Sequence, residues 1–359
     1  MKTMATDRRT QAQTDTDNYG REGKFGKFVL VLMAFAVSLW SCGKSPTAGP
    51  APSSSGPKIG FILGTEQEER YQRDKDSFIK TAQALGAEVL FLSCDNDENK
   101  QAVNVETMLS RGIQVLVLQP VNSDNAAVFI DKAHQKGVKV VAYDRMINHP
   151  ELDFYAGQDS FDVGRLQARA AAAWMKLKKL AGKALVCSGQ QGHSVAEAIT
   201  KANLDELKSA GIPVAVQQYH DAWGTEQALK TVENALVTYP DIRIILCNNS
   251  GMARGAVQAV EKAGKSGQIF ITGADADKAN IEYIVEGKQQ QDVYKDEITL
   301  AARAAELAVQ IAQGQALAAS STTDYKDAKG IKTILTPVKE VTAETYKAVV
   351  VDAGPRYPL

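Results

Sequence analysis

The sequence is poor in the residues that carry metal and redox chemistry. Its 359 residues include 4 cysteines and 4 histidines. Cys42, Cys94, Cys187 and Cys247 show no CxxC spacing, and His134, His149, His193 and His220 are scattered, so no zinc or dithiol motif forms. Basic residues are not in excess either: 41 Lys and Arg stand against 42 Asp and Glu, for a net charge of -1. A nucleic-acid surface normally needs a basic surplus, so that class of partner is excluded. GxGxxG is absent, and Gly189-Gln190-Gln191-Gly192 lacks the lysine of a phosphate-binding loop. Ser188 has no GxSxG context, and no carboxylate pair stands out as a general acid and base. Neither a cofactor nor catalysis is expected.

Long apolar runs are also missing. The longest, Phe28 to Trp40, has 13 residues, short of the ~20 that a membrane-crossing helix needs. Lys24 and Lys27 precede it, and Leu39-Trp40-Ser41-Cys42 ends it. A basic flank and a short apolar core predict an export signal. The last four residues resemble a bacterial lipobox, which implies lipidation of Cys42. Residues 43–57, rich in Gly, Ser, Pro and Ala, predict a flexible tether. The rest of the chain is expected outside the cytoplasm, held to a membrane by lipid.

What is abundant is alternation. From Lys58 onward, short β-rich runs are followed by stretches with apolar residues at helical spacing. KIGFILG (58–64), AEVLFLS (87–93), VLVLQ (115–119), KVVAYD (139–144), DFYAGQ (153–158), KALVCSG (183–189), VAVQQY (214–219), RIILCNN (243–249), IFITGAD (269–275) and QDVYK (291–295) are the predicted strands. KTILTP (332–337) and AVVVDA (348–353) are two more. Near-continuous apolar strands alternating with amphipathic helices predict parallel sheets covered on both faces. So many strands exceed one compact sheet, so the expectation is α/β with two doubly wound parallel-sheet lobes. Cys94, Cys187 and Cys247 each end an apolar run and read as buried thiols; spacing selects no disulfide pair.

Ligands of open parallel sheets bind beyond the carboxyl ends of the strands. Asp144 and Arg145 follow one strand, Asn248 and Asn249 another, Asp275 a third and Lys295 a fourth, while Arg70 and Tyr71 lie past the first. Carboxylates accept hydrogen bonds, Arg and Lys donate, and amides do both. A sugar hydroxyl needs both kinds of partner. Asp144 and Arg145 are therefore expected to clamp neighbouring hydroxyls, with Tyr71 and Trp223 against the ring face. Of the pair Asp275 and Asp277, one is expected to face the ligand and the other to start a helix.

The segments GTEQEERYQRDKDSF, KVVAYDRMINHPELDFY, ITGADADKANI and VYKDEIT carry a resemblance. From Lys58 to about Asp352 the chain resembles the periplasmic sugar-binding proteins of ABC importers, of the type I fold, and within them the D-xylose-binding group. The resemblance implies two lobes joined by a three-strand hinge that close on a monosaccharide. It implies that Arg70, Asp144, Arg145, Asn249, Asp275 and Lys295 contact the sugar, with Tyr71 and Trp223 as aromatic walls. After KALVCSG the family usually carries an Asp/Asn-rich loop; here Gln191-Gly192-His193-Ser194-Val195 stands there, leaving His193 and Ser194 to hydrogen-bond, and Ser250 replaces another acidic residue. The implied organisation is a signal segment (1–42), a tether (43–57), one lobe from 58–158 plus 295–334, and another from 159–294 plus 335–359. A monomer delivering its sugar to a membrane permease is the expected role. A sensor feeding a chemoreceptor or histidine kinase is the alternative, and a repressor core or glycosidase fits less well.

Overall fold

The computed structural model describes residues 56–315 and 321–352. The signal-like segment, Cys42 and the tether to residue 55 lie outside the described residues, as does the tail from 353. Among the described residues no helix is long and apolar enough to cross a membrane.

The chain opens with β1 (Lys58–Leu63), α1 (Arg70–Ala84), β2 (Glu88–Ser93), α2 (Glu98–Ser110), β3 (Val115–Leu118), α3 (Val128–Gln135), β4 (Lys139–Tyr143) and β5 (Phe154–Gln158). It continues with α4 (Ser160–Lys178), β6 (Lys183–Ser188), α5 (Ser194–Ser209), β7 (Val214–Tyr219), α6 (Thr225–Thr238), β8 (Ile242–Cys247), α7 (Ser250–Lys262), β9 (Phe270–Thr272), α8 (Lys278–Val285) and β10 (Asp292–Lys295). Last come α9 (Glu297–Ala312), β11 (Ser321–Tyr325), β12 (Ala328–Thr336) and β13 (Val338–Val341).

These strands build two main sheets. The first has the order β11-β12-β5-β4-β3-β1-β2, and the second β7-β6-β8-β9. All neighbours are parallel except the edge hairpin β11–β12. β10 and β13 pair antiparallel as a separate ribbon. Each main sheet is apolar on both faces. α1 and α9 cover one face of the first through Phe61, Phe78, Val117, Leu300 and Ala304, and α2 and α3 cover the other through Leu116, Met108 and Ile130. Helices also close both faces of the second sheet, around Ile245 and Val257 on one side and Val186 and Leu207 on the other. Parallel strands buried on both faces are the physical content of the near-continuous apolar runs.

The chain passes between the two sheet systems at three places. It leaves the first after β5, where α4 packs on the second sheet and on α5. It returns after β10, where α9 packs on α1 and the first sheet, and it leaves again between β12 and β13. Side chains at the strand exits double as helix caps: Asp97, Asp159, Asn249 and Asp296 each accept from a backbone N–H in the first turn that follows.

One expected strand is absent. The run AVVVDA (348–353) forms instead a π-helical turn, Lys347–Val351, with Val350 packed against Ile281, Tyr294 and Val341. Its β-branched residues favour a strand, but the turn instead packs Val350 into the apolar cluster beside β10 and β13. β11 and β13, unforeseen, are short strands with polar, half-exposed sequences at edges. Cys94, Cys187 and Cys247 are buried free thiols, and Cys187 and Cys247 lie side by side on β6 and β8.

Candidate functional site

The strand tips of the two main sheets converge on one tight hollow of about 20 Å³. The first system supplies Arg70 and Tyr71 from the start of α1, and Asp144 and Arg145 from the end of β4. The second supplies Val195, Trp223, Asn249 and Asp275, and Lys295 comes from the end of β10 at a crossing. A larger surface depression runs past Met175, Leu180, Ile212 and Pro213, but it sits at the opposite, amino end of the second sheet and is mostly apolar.

Two backbone devices turn the carboxylates inward. Asp144 and Asp275 both have positive φ, 59° and 101°, which L-residues adopt only under constraint. The constraint is visible: the Asp144 N–H donates to Ala156 O at 2.8 Å and the Asp275 N–H to Val293 O at 2.9 Å. Each strand thus ends by pinning its last amide to a neighbour and rotating its side chain out of the sheet.

Arg70 is the hub. Its guanidinium lies 3.2 Å from Asp74, 3.2 Å from Asp144 and 3.7 Å from Asp275, with only 4% of the residue exposed. Burial opposes its charge, but Asp144 and Asp74 hold its proton well above the ordinary arginine range. Burial likewise pushes Asp74 up, against the attraction of Arg70 and a hydrogen bond from the Tyr143 hydroxyl. For Asp144 burial is outweighed: Arg70, Lys295, Arg145 and the Gln119 amide hold its carboxyl below the ordinary value. Lys295 Nζ reaches Asp275 at 2.6 Å. Three cationic side chains, Arg70, Arg145 and Lys295, therefore meet three carboxyl groups, Asp74, Asp144 and Asp275.

Asp144 and Arg145 do not form a side-by-side pair. Asp144 turns to Arg70 and Gln119. Arg145, 1% exposed, donates through Nη1 to Pro120 O at 3.1 Å and through Nη2 to the Tyr71 hydroxyl at 3.1 Å. Both still line the hollow, from separate directions, because the positive φ at Asp144 splays the two side chains.

His193 needs a correction. It was expected to contact the ligand, yet it is fully buried and does not line the hollow. Its Nδ1 accepts from Trp223 Nε1–H at 2.9 Å, so the network assigns the ring proton to Nε2. Burial, then the Arg145 charge, hold its proton affinity well below the usual histidine range. A neutral His193 thus fixes the plane of Trp223. Gly189 makes room for that indole, since a Cβ there would meet the ring at 2.5 Å. Ser194 is also withdrawn: its Oγ accepts from Met146 N–H at 2.8 Å.

Asn249 caps α7, its Oδ1 accepting from Met252 N–H at 2.8 Å, which leaves the Nδ2 amide as a donor towards the hollow. Its neighbour Asn248 instead ties the sheet together, accepting from Gly189 N–H and Thr200 Oγ1–H. Asp277 starts α8 and pairs with Arg254 at 2.8 Å. Glu68, which sequence reasoning passed over, lines the hollow as well. Nothing in the acidic string Glu66-Gln67-Glu68-Glu69 distinguishes it from its neighbours. No group of ligands for a metal ion forms among the described residues.

Polar bridges join the two systems around this hollow. Asn96 Nδ2 donates to Gln190 Oε1 at 2.7 Å, Ser123 N–H to Gly192 O at 3.0 Å, and Ser194 N–H to Ser123 Oγ at 3.1 Å. Met146 to Ser194 and Arg70 to Asp275 are two further links between the two systems.

Known proteins share this architecture. Residues 59–316 match the family described as "Periplasmic binding protein domain". The D-xylose-binding periplasmic protein of Escherichia coli K12 is 36% identical over 306 residues, covering 83% of this chain and 90% of that protein. Its namesake in Haemophilus influenzae is 36% identical over 269 residues, 74% of this chain and 80% of that protein. Among solved structures, a carbohydrate transporter solute-binding protein from Chloroflexus aurantiacus, in complex with D-glucose, superposes with a TM-score of 0.75 at 27% identity, covering 84% of this chain and 96% of that one.

Proposed function

This chain belongs to the periplasmic binding protein domain family, and from that premise we propose that it is the extracytoplasmic sugar-binding component of an ABC importer. Its ligand is a monosaccharide, D-xylose or a sugar of similar hydroxyl pattern. The observation that carries this is the charge balance of the hollow. Arg70 and Lys295 are paired with carboxylates of the protein itself, and Arg145 is engaged by Pro120 O and the Tyr71 hydroxyl, so a neutral ligand fits. The same groups offer directed donors and acceptors between two aromatic side chains, Tyr71 and Trp223, which suits a ring with polar edges and apolar faces. Relatives named for D-xylose support the assignment.

The mechanism is closure without chemistry. One lobe, 58–158 with 295–334, presents Arg70, Asp144 and Arg145; the other, 159–294 with 335–359, presents Trp223, Asn249 and Asp275. A sugar bridging both stabilises the closed form by its differential contacts, and the closed form is what a permease recognises. Hinge motion belongs near 158–160, Lys295 and 335–337, where the chain changes sheet systems. The protein acts as a monomer, anchored through lipid at Cys42.

Two experiments test this. Millimolar D-xylose should raise the melting temperature by mass action, as about 2.7 kcal/mol of stabilisation accompanies a ligand at ~100 times its Kd. A panel of pentoses, hexoses and polyols that leaves the melting temperature unmoved would sink the assignment. Cys42→Ser should move the protein from the membrane to the soluble fraction; if the variant stays membrane-bound, the lipid anchor is wrong.

A further inference from the structure

Beside Asp144 and Asp275 the hollow is lined by a third carboxyl group with a distinct situation. Glu68 sits on the loop just before Arg70 and lines both the hollow and its outer mouth. Its Oε2 is buried and has no hydrogen-bond partner among the described residues. The other acidic acceptors there are engaged: Asp144 by Gln119 and Arg70, and Asp275 by Lys295 at 2.6 Å and Arg70 at 3.7 Å.

Donors abound on the same surface, in Arg145, Lys295 and the Asn249 amide. A hydroxyl that accepts from one of them still has its own proton to donate. The second lobe offers few acceptors for it. His193 lies behind Trp223, Ser194 Oγ takes the Met146 N–H, and Ser250 Oγ–H is directed to Asp292 at 3.1 Å. Glu68 Oε2 can receive that proton without displacing an ion pair.

Building on the sugar-binding reading, we propose that Glu68 is a specificity-determining ligand contact that accepts a hydrogen bond from one ring hydroxyl at the mouth edge, selecting sugars that carry this hydroxyl over their deoxy analogues. Burial is consistent with the role. It raises the Glu68 carboxyl above its ordinary range, with Arg145 offsetting only part of the cost. A hydroxyl donor brought by the ligand satisfies the buried oxygen and favours its ionised form.

The test is calorimetric titration of wild type, Glu68→Leu and Glu68→Gln with D-xylose and its 2-, 3- and 4-deoxy analogues, and with the D-glucose series in parallel. In the wild type one deoxy position should cost roughly ten- to hundred-fold in affinity through Glu68, since an acceptor of this kind is expensive to leave unpaired. In Glu68→Leu that single penalty should vanish while the other deoxy penalties persist. Glu68→Gln, which preserves shape, should shrink the same penalty and no other. Deoxy penalties unchanged in both variants overturn the proposal, and so does a uniform loss across all ligands, which marks a structural role. A wild type that responds to no sugar overturns the proposed function and this contact with it. A wild type that binds sugar with penalties insensitive to Glu68 overturns this contact alone.

Discussion

Asp292 shows how a single buried carboxyl sets a pH dependence in this protein. It lies at the start of β10, fully buried, with Ala276 N–H, Val293 N–H, Gln289 and Ser250 donating to it. Burial, with Asp275 and Asp277 nearby, pushes its carboxyl from 3.8 up to about 7 despite those donors. The folded state therefore holds a proton that the unfolded chain has already released between those values. Stability falls as pH rises through that window, by about 4 kcal/mol at most for a shift of this size. Asp292→Asn removes the titration. In urea denaturation the wild type should lose stability relative to this variant as pH climbs from about 4 to 8; a gap independent of pH would refute the shift. Asp144, Arg145, Asn249, Asp275 and Lys295 were legible because each lies at or just past the end of an apolar run, where a polar side chain marks a strand exit. His193 entered through the resemblance, as part of the loop after β6, but its ring is captured by Trp223, a contact between residues 30 apart in sequence.

Among elements, strands buried on two faces were the plainest to read. Runs such as ILC in β8 and VLVL in β3 are buried at every position, and their shortness and β-branched content favour a strand over a buried helix segment. Helix ends were legible too, because Gly86, Gly112, Gly137, Gly211 and Gly264 all take positive φ where helices stop. How the elements approach one another was not. α4 and α5 pack so closely that a Cβ on Gly164 would meet Ile199 O at 2.3 Å, and α6 and α7 meet at Gly255, 2.3 Å from Thr225 O by the same construction. Both glycines sit inside helices, where propensity alone disfavours them, and only the neighbouring backbone explains them. The valine run at 349–351 failed for the opposite reason. Its local preference for a strand was sound, but burial of Val350 against Ile281, Tyr294 and Val341, all distant in sequence or on other elements, decided its conformation.

At the scale of the molecule, the two sheet systems are also joined by contacts outside the hollow, and the proposed closure depends on them. Ser194 illustrates this: its Oγ accepts from Met146 N–H and its own N–H reaches Ser123 Oγ, so one serine stitches the two lobes twice. Ser194→Ala leaves the Met146 N–H buried without its acceptor, a cost of about 1–2 kcal/mol that falls on the closed form alone. A less populated closed form lowers the apparent affinity by the same factor. Titration with the sugar should therefore show Kd weakened roughly tenfold, with the ligand-free melting temperature nearly unchanged. An unaltered Kd would show that these bridges add nothing to closure.

The α/β class, the run of parallel strands, the helix stops and most polar groups at the strand tips follow from the order of residues alone. Each of these is local, written in the spacing of apolar residues and in the turn chemistry beside them. Tertiary structure alone decided that the tips of two separate sheets meet, that Arg70 rather than Arg145 pairs with Asp144, that His193 serves Trp223, and that Glu68 faces inward. Those outcomes join residues tens to hundreds of positions apart through backbone rotations of a few degrees of freedom, such as the positive φ of Asp144 and Asp275. Such rotations are stabilised by distant hydrogen-bond partners and leave no periodic trace in the chain.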